Sequence, residues 1–111
     1  MINSITLLGN LTKDPETRTT TSGKTVTTFT LAVNGYNNRV DFIPCVAWEG
    51  IGETIARNVT KGRQLAVSGQ IHSRNFEDSA GNKRTALEVN VEDFAFCGKK
   101  EKVESADFYE V

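Results

Sequence analysis

Three features of the 111-residue sequence predict an all-β domain of five strands, with one short helix between the third and fourth. Apolar and polar residues alternate with a period of two over most of the chain, as they do where successive side chains point to opposite faces of a sheet. One stretch alone, EGIGETIARNVTKG, shifts to a four-residue period. Gly, Pro, Asn and Asp mark the breaks between segments.

Taken in order, INSITLLGNL (residues 2–11) is rich in β-formers and predicts the first strand. KDPETRTTTSGK reads as a loop punctuated by Pro15 and Gly23. The second strand, residues 25–36, puts Phe29, Leu31 and Val33 on one face and Thr28, Thr30, Ala32, Asn34 and Tyr36 on the other. GYNNR is a turn-rich connection. The third strand, VDFIPCVAW (40–48), contains Pro44, which cannot donate to a ladder and so marks an edge, a bulge or a solvent-facing break. Ile51, Ile55 and Val59 then recur on one helix face, with Gly62 placed just past the helix end. RQLAVSGQIHSRNF and RTALEVNVEDFAF, joined by EDSAGNK, form strands four and five. In the last strand Leu87, Val89 and Val91 point inward, and a phase change near Asp93 to Phe94 and Phe96 predicts a bulge. Three strands, a helix and two strands is the connectivity of the OB-fold, a small, partly open Greek-key barrel.

Length and composition bound the function. The chain is one domain, residues 1–98, with a short acidic tail at 99–111. Its 38% apolar and 24% charged residues are those of a globular protein. No apolar run approaches the roughly 20 residues that span a bilayer, and MINSITLLGN lacks the basic-then-apolar pattern of a signal peptide. A cytoplasmic location is expected. Cys45 and Cys97 stand alone and read as two reduced thiols. Net charge is −1, yet residues 1–98 hold ten basic and ten acidic side chains, so the excess acid lies in EKVESADFYEV. A neutral domain attracts phosphate locally when its bases gather on one face.

Strand phase decides whether they gather. In GQIHSRNF, Ile71, Ser73 and Asn75 share one side; Gln70, His72, Arg74 and Phe76 share the other. A ring on that polar face forgoes its burial energy. The third strand repeats the pattern: Ile43, Cys45 and Ala47 face the core, while Phe42, Pro44, Val46 and Trp48 face away. Tyr36 ends the second strand on the polar side, near Arg39. Four rings, Tyr36, Phe42, Trp48 and Phe76, thus lie outside the inward rows. Exposed rings stack on nucleobases irrespective of sequence. Arg18, Arg39, Lys61, Arg63, Arg74, Lys83 and Arg84 supply interleaved cations, with His72 on the same face. An alternative use for outward rings is a second packing layer, such as a subunit interface.

Catalysis has little support. The chain has a single His, no metal-ligand spacing, no cysteine pair and no Gly-rich phosphate loop, so neither enzyme activity, metal nor cofactor is expected. The reading is a binding module.

ITLLGNLTKDPETR, FTLAVN, the aromatic-bearing third strand ending in VAWEG, and NVTKGRQLAVSGQIHSRNFEDSAGNKRTALEV together resemble the bacterial-type single-stranded DNA-binding proteins, over residues 1 to about 98. The resemblance implies an OB-fold protomer, assembled as a homotetramer, that binds single-stranded DNA without sequence preference in replication, recombination and repair. Its stacking positions fall on Phe42, Trp48, Phe76 and Tyr36, and its basic positions on Arg18, Lys61 and Arg74. Family members often carry a further base where this chain has Asn75. They typically end in a long tail tipped by acids and Pro-Phe, which recruits other genome-maintenance proteins. Here the chain ends SADFYEV, and Asp107, Phe108, Tyr109 and Glu110 are expected to be a reduced version of that tip. So compact a form would suit a phage-, plasmid- or competence-associated protein, acting in the host cytoplasm if phage-encoded. Two other readings stay open: an OB-type replisome or primosome accessory working through protein contacts, and an oligosaccharide-binding OB-fold.

Overall fold

Alternation over TVTTFTLAVN and VDFIPCVAW produces two long strands, β3 (Thr25–Asn34) and β4 (Val40–Trp48), in a computed structural model that describes residues 1–98. They pair antiparallel from Val26↔Trp48 to Asn34↔Val40. The turn between them places Asn37 and Asn38 at φ 57° and 61°, and Arg39 N donates to Tyr36 O at 3.0 Å. Two left-handed residues in succession match the right-handed twist of the strands, and Asn tolerates that conformation.

The remaining elements are β1 (Ile5–Leu11), β2 (Glu16–Thr19), α1 (Glu49–Asn58), β5 (Gln64–Glu77) and β6 (Lys83–Phe96). β1 pairs with β5, β5 with β6, β6 with β4, β4 with β3, and β3 returns to β1 through Asn10↔Ala32 and Leu11↔Leu31. Five strands therefore close into a ring, with the helix between β4 and β5 as predicted. The β4–β6 junction is parallel and short, limited to Cys45↔Val89 and Val46↔Asn90. β4 is consequently still an edge at Pro44, where a missing N–H costs no ladder bond.

Inside the ring Leu11, Phe29, Leu31, Cys45, Ala47, Leu65, Val67, Val89 and Val91 form one core, sealed by Ile55 and Val59 from the helix segment. α1 sits close against the sheet because residue 52 is glycine. A Cβ there would meet the Ala47 carbonyl and lie 2.7 Å from Thr27 Oγ1. Thr25 Oγ1 donates to Glu53 Oε2 at 2.6 Å, adding a polar tie.

Several expectations need correction. Glu16–Thr19, predicted as loop, is a strand pairing with β3 outside the ring. All four residues are exposed, so no hydrophobic alternation announced them. The helix ends at Asn58, and Gly62 (φ 88°) serves a later tight turn in which Arg63 N donates to Thr60 O at 3.1 Å. Leu87 is exposed, because β5 and β6 run on beyond the ring as a two-stranded arm with neither face packed from Ile71 onward. Phe96 is likewise exposed, whereas Phe94 packs on the core. The bulge expected near Asp93 is present: Ser68 pairs with Asp93 and Gly69 with Val91, leaving Glu92 as the extra residue.

Candidate nucleic-acid interface

Residues directly opposed on a ladder project to the same face, so the register arranges the candidate side chains in rows. Arg18, Val26 and Trp48 form one row across β2, β3 and β4. Glu16, Thr28 and Val46 form the next, and it continues through Asn90 and Gln70 onto β6 and β5. Thr30 with Pro44, then Ala32 with Phe42, complete the outer face of β3–β4. On the arm the same face carries His72 opposite Glu88, Arg74 opposite Ala86 and Phe76 opposite Arg84, whereas Glu77 and Lys83, one position on, project to the other face.

All four predicted rings are on the outside. Tyr36 is 91% exposed, Phe42 63%, Trp48 42% and Phe76 39%. Trp48 is the least free of those on β4 because it shares its row with Val26, which is buried. Tyr36 projects from the β3–β4 turn. Phe76 carries the Arg74 guanidinium carbon 5.1 Å from its ring centroid, within cation–π reach.

A groove of about 240 Å³ runs between the two parts of this face. Thr28, Thr30, Pro44 and Val46 form its floor; Thr12, Lys13 and Asp14 border it on one side, and Arg74 with Glu88 on the other. The fold thus brings β4, flanked by Phe42 and Trp48, beside the arm that carries Arg74 and Phe76. A second, more open hollow of about 490 Å³ lies at the arm's outer end, lined by Phe76, Lys83 and Arg84 among others.

The cations are placed unevenly. Arg18 stands on β2, not on a loop. Lys61 lies in the turn after the helix, and its backbone N–H donates to Asp14 Oδ1 at 2.8 Å, which ties that turn to the groove border. Three arginines face carboxylates: Arg39 Nε donates to Asp41 at 3.2 Å, Arg74 Nε to Glu88 at 3.3 Å and Arg84 Nε to Asp78 at 2.9 Å. Asp78 also accepts from the Ala80 and Asn82 amides, organising the arm's turn. The Arg84 guanidinium, then these amides, hold its carboxyl below the usual carboxylate range. Tyr36 and Arg39 sit on the β3–β4 turn, apart from the groove lining. Asp107, Phe108, Tyr109 and Glu110 lie outside the described residues.

Sequence reasoning missed Lys13 and Glu88 as groove residues. Glu88 was findable: once EDSAGNK is taken as the hairpin turn, counting back along both strands sets it opposite His72. Lys13 had no such signal, since its place depends on how the first loop crosses the ring.

No group of three or more His, Cys, Asp or Glu side chains that could hold a metal occurs among the described residues. Burial pushes the Cys45 thiol up to about 12, so it stays protonated and unreactive. No helix among the described residues is long and apolar enough to cross a membrane. Flat rings and cations are spread over the outside of the closed strand ring.

The chain belongs to the Single-strand binding protein family, whose model matches residues 2–97. That family carries the OB-fold connectivity expected from the sequence. The chain is 49% identical over 98 residues to the single-stranded DNA-binding protein of Clostridium perfringens, covering 86% of this chain and 65% of that relative. It is 44% identical over 106 residues to the protein of the same name from Caldanaerobacter subterraneus, covering 90% and 71%. With single-stranded DNA-binding protein A of Bacillus subtilis it shares 41% identity over 106 residues, covering 90% and 62%. The chain therefore spans roughly two-thirds of the length of these curated relatives.

Proposed function

We propose that this protein binds single-stranded DNA without sequence preference, stacking bases on Phe42, Trp48, Phe76 and Tyr36. Arg18, Arg39, Lys61, His72, Arg74, Lys83 and Arg84 contact or attract the phosphates between them. One observation carries the reading: rings that a folded chain would gain by burying stand exposed on the outside of β4, the β3–β4 turn and the arm, with the Arg74 guanidinium over Phe76. Stacking is worth ~1–3 kcal/mol per base, which supports using surface rings for binding. The names of the relatives agree with this ligand.

The reading extends to replication, recombination and repair, where unpaired DNA is transient and needs cover, and it is non-catalytic. Residues 1–98 are the binding domain, residues 99–111 are a tail for recruiting other proteins, and the setting is cytoplasmic. A homotetramer is proposed as the working assembly; exposed Leu8, Ile71 and Leu87 supply apolar surface that self-association would cover.

Titration with oligo-dT tests it directly. Trp48 is the single Trp, so its fluorescence is expected to quench on binding. If about four phosphates are neutralised per protomer, log affinity falls against log salt with a slope near −3, at ~0.7 per contact. An unchanged Trp signal together with no gel shift refutes the proposal.

A further inference from the structure

The candidate face is not simply basic. Each ion pair among the described residues joins one of its arginines to a carboxylate. Glu88 is the most sheltered of those acids, its side chain 20% exposed against 46% for Asp41 and 27% for Asp78. It is also the one that lines the groove beside β4.

Arg74 is held at two points. Its Nε–H donates to Glu88 Oε1 at 3.3 Å, and its guanidinium lies 5.1 Å from the centre of Phe76. A carboxylate and a backbone phosphate offer a guanidinium similar paired oxygens. In the free protein Arg74 therefore already holds a stand-in for phosphate. The same contact parks its planar head over a ring face on which a base would stack.

We infer that Glu88 is a positioning residue that competes with the DNA backbone for Arg74, keeping affinity below what the rings and cations alone would reach. The inference rests on the proposed function and adds a determinant of its strength. Binding exchanges Glu88 for a phosphate on the same guanidinium and slides that guanidinium off Phe76. The displaced carboxylate must then be rehydrated and regains a cation from solution. Exposed ion pairs are weak, so the restraint is modest and quickly reversible. A weak internal competitor suits a protein that must release its strand.

The test compares wild type, Glu88→Gln and the charge-matched control Glu92→Gln, all as full chains, titrated with oligo-dT at several salt concentrations. Glu92 is the extra residue of the bulge, away from the groove lining. Glu88→Gln is expected to bind about two- to fivefold more tightly, matching loss of one exposed pair. Its salt slope should steepen by up to ~0.7, one phosphate contact no longer offset by cation uptake. Glu88→Thr, which suits a strand, should move both readouts the same way, so a folding fault in one variant does not decide the matter. An affinity equal to wild type or to Glu92→Gln overturns the inference, and weaker binding does so too by making Glu88 an aid to the grip. Failure of wild type to bind oligo-dT overturns the proposed function, and the inference with it; binding by wild type with an indifferent Glu88→Gln overturns the inference alone.

Discussion

Two glycines in α1, separated by one residue, should respond to alanine with opposite signs. A methyl group at Gly50 would have nothing within 4 Å, so Gly50→Ala adds a side chain into open space. The gain is the difference in helix propensity and unfolded-chain entropy, about 0.5–1 kcal/mol. Gly52 gets the same propensity benefit, but its methyl would run into the Ala47 carbonyl and sit 2.7 Å from Thr27 Oγ1 and 2.9 Å from Thr27 Cβ. Neither neighbour can yield. Ala47 is locked in the β3–β4 ladder opposite Thr27, and Thr27 is buried with its hydroxyl bonded to Thr17 Oγ1 at 2.8 Å. Overpacking of this kind costs ~1–3 kcal/mol, which leaves a net loss of roughly 1 kcal/mol after the propensity gain. At about 4–8 °C per kcal/mol for a domain of this size, Gly50→Ala should raise Tm by several degrees and Gly52→Ala should lower it by about 5–10 °C. Thermal unfolding followed by circular dichroism reads both. A Gly52→Ala protein as stable as wild type would show that the helix does not pack this tightly, and with it that the end of β4 bearing Trp48 is not held by that contact.

Phe42→Ala should weaken oligo-dT binding by ~1–3 kcal/mol while barely shifting Tm, since most of that ring is already in water; a large Tm loss would make it a packing residue instead. Acidification should loosen the tip of the arm. The Asp78 carboxyl titrates below its unfolded value, so its contribution is complete above the ordinary carboxylate pKa of about 4 and is lost as pH falls through the lowered one. In NMR titrations Arg84→Ala should move the Asp78 midpoint back up, and an unmoved midpoint would discount the pair. Iodoacetamide should modify Cys97 in the native protein and leave Cys45 untouched until unfolding, because Cys45 is buried and its thiol is held protonated with a pKa of about 12; equal rates would contradict its place in the core.

Much of the site was legible because strand phase is local. Once VDFIPCVAW is read as a strand, Cys45 and Ala47 must share one face and Phe42 and Trp48 the other, and the buried and exposed positions obey that. The same logic failed at Leu87. Alternation says which residues share a face, but not whether anything covers that face, and past Ile71 the hairpin leaves the ring. β2 was illegible for a related reason. A strand with both faces in water carries no apolar pattern, and Glu16–Thr19 is held by pairing to β3 and by the Thr17–Thr27 hydroxyl contact.

What the chain determines by itself is element type and facing, since both follow from covalent geometry and the cost of leaving apolar atoms in water. The tertiary structure decided which faces met. Closing the ring through Leu11↔Leu31 and Cys45↔Val89 brought the arm beside β4, and that juxtaposition set Arg74 and Glu88 along one side of a groove floored by β3 and β4. Such encounters depend on register between segments far apart in the chain, and register is an energy of pairing that no single segment contains.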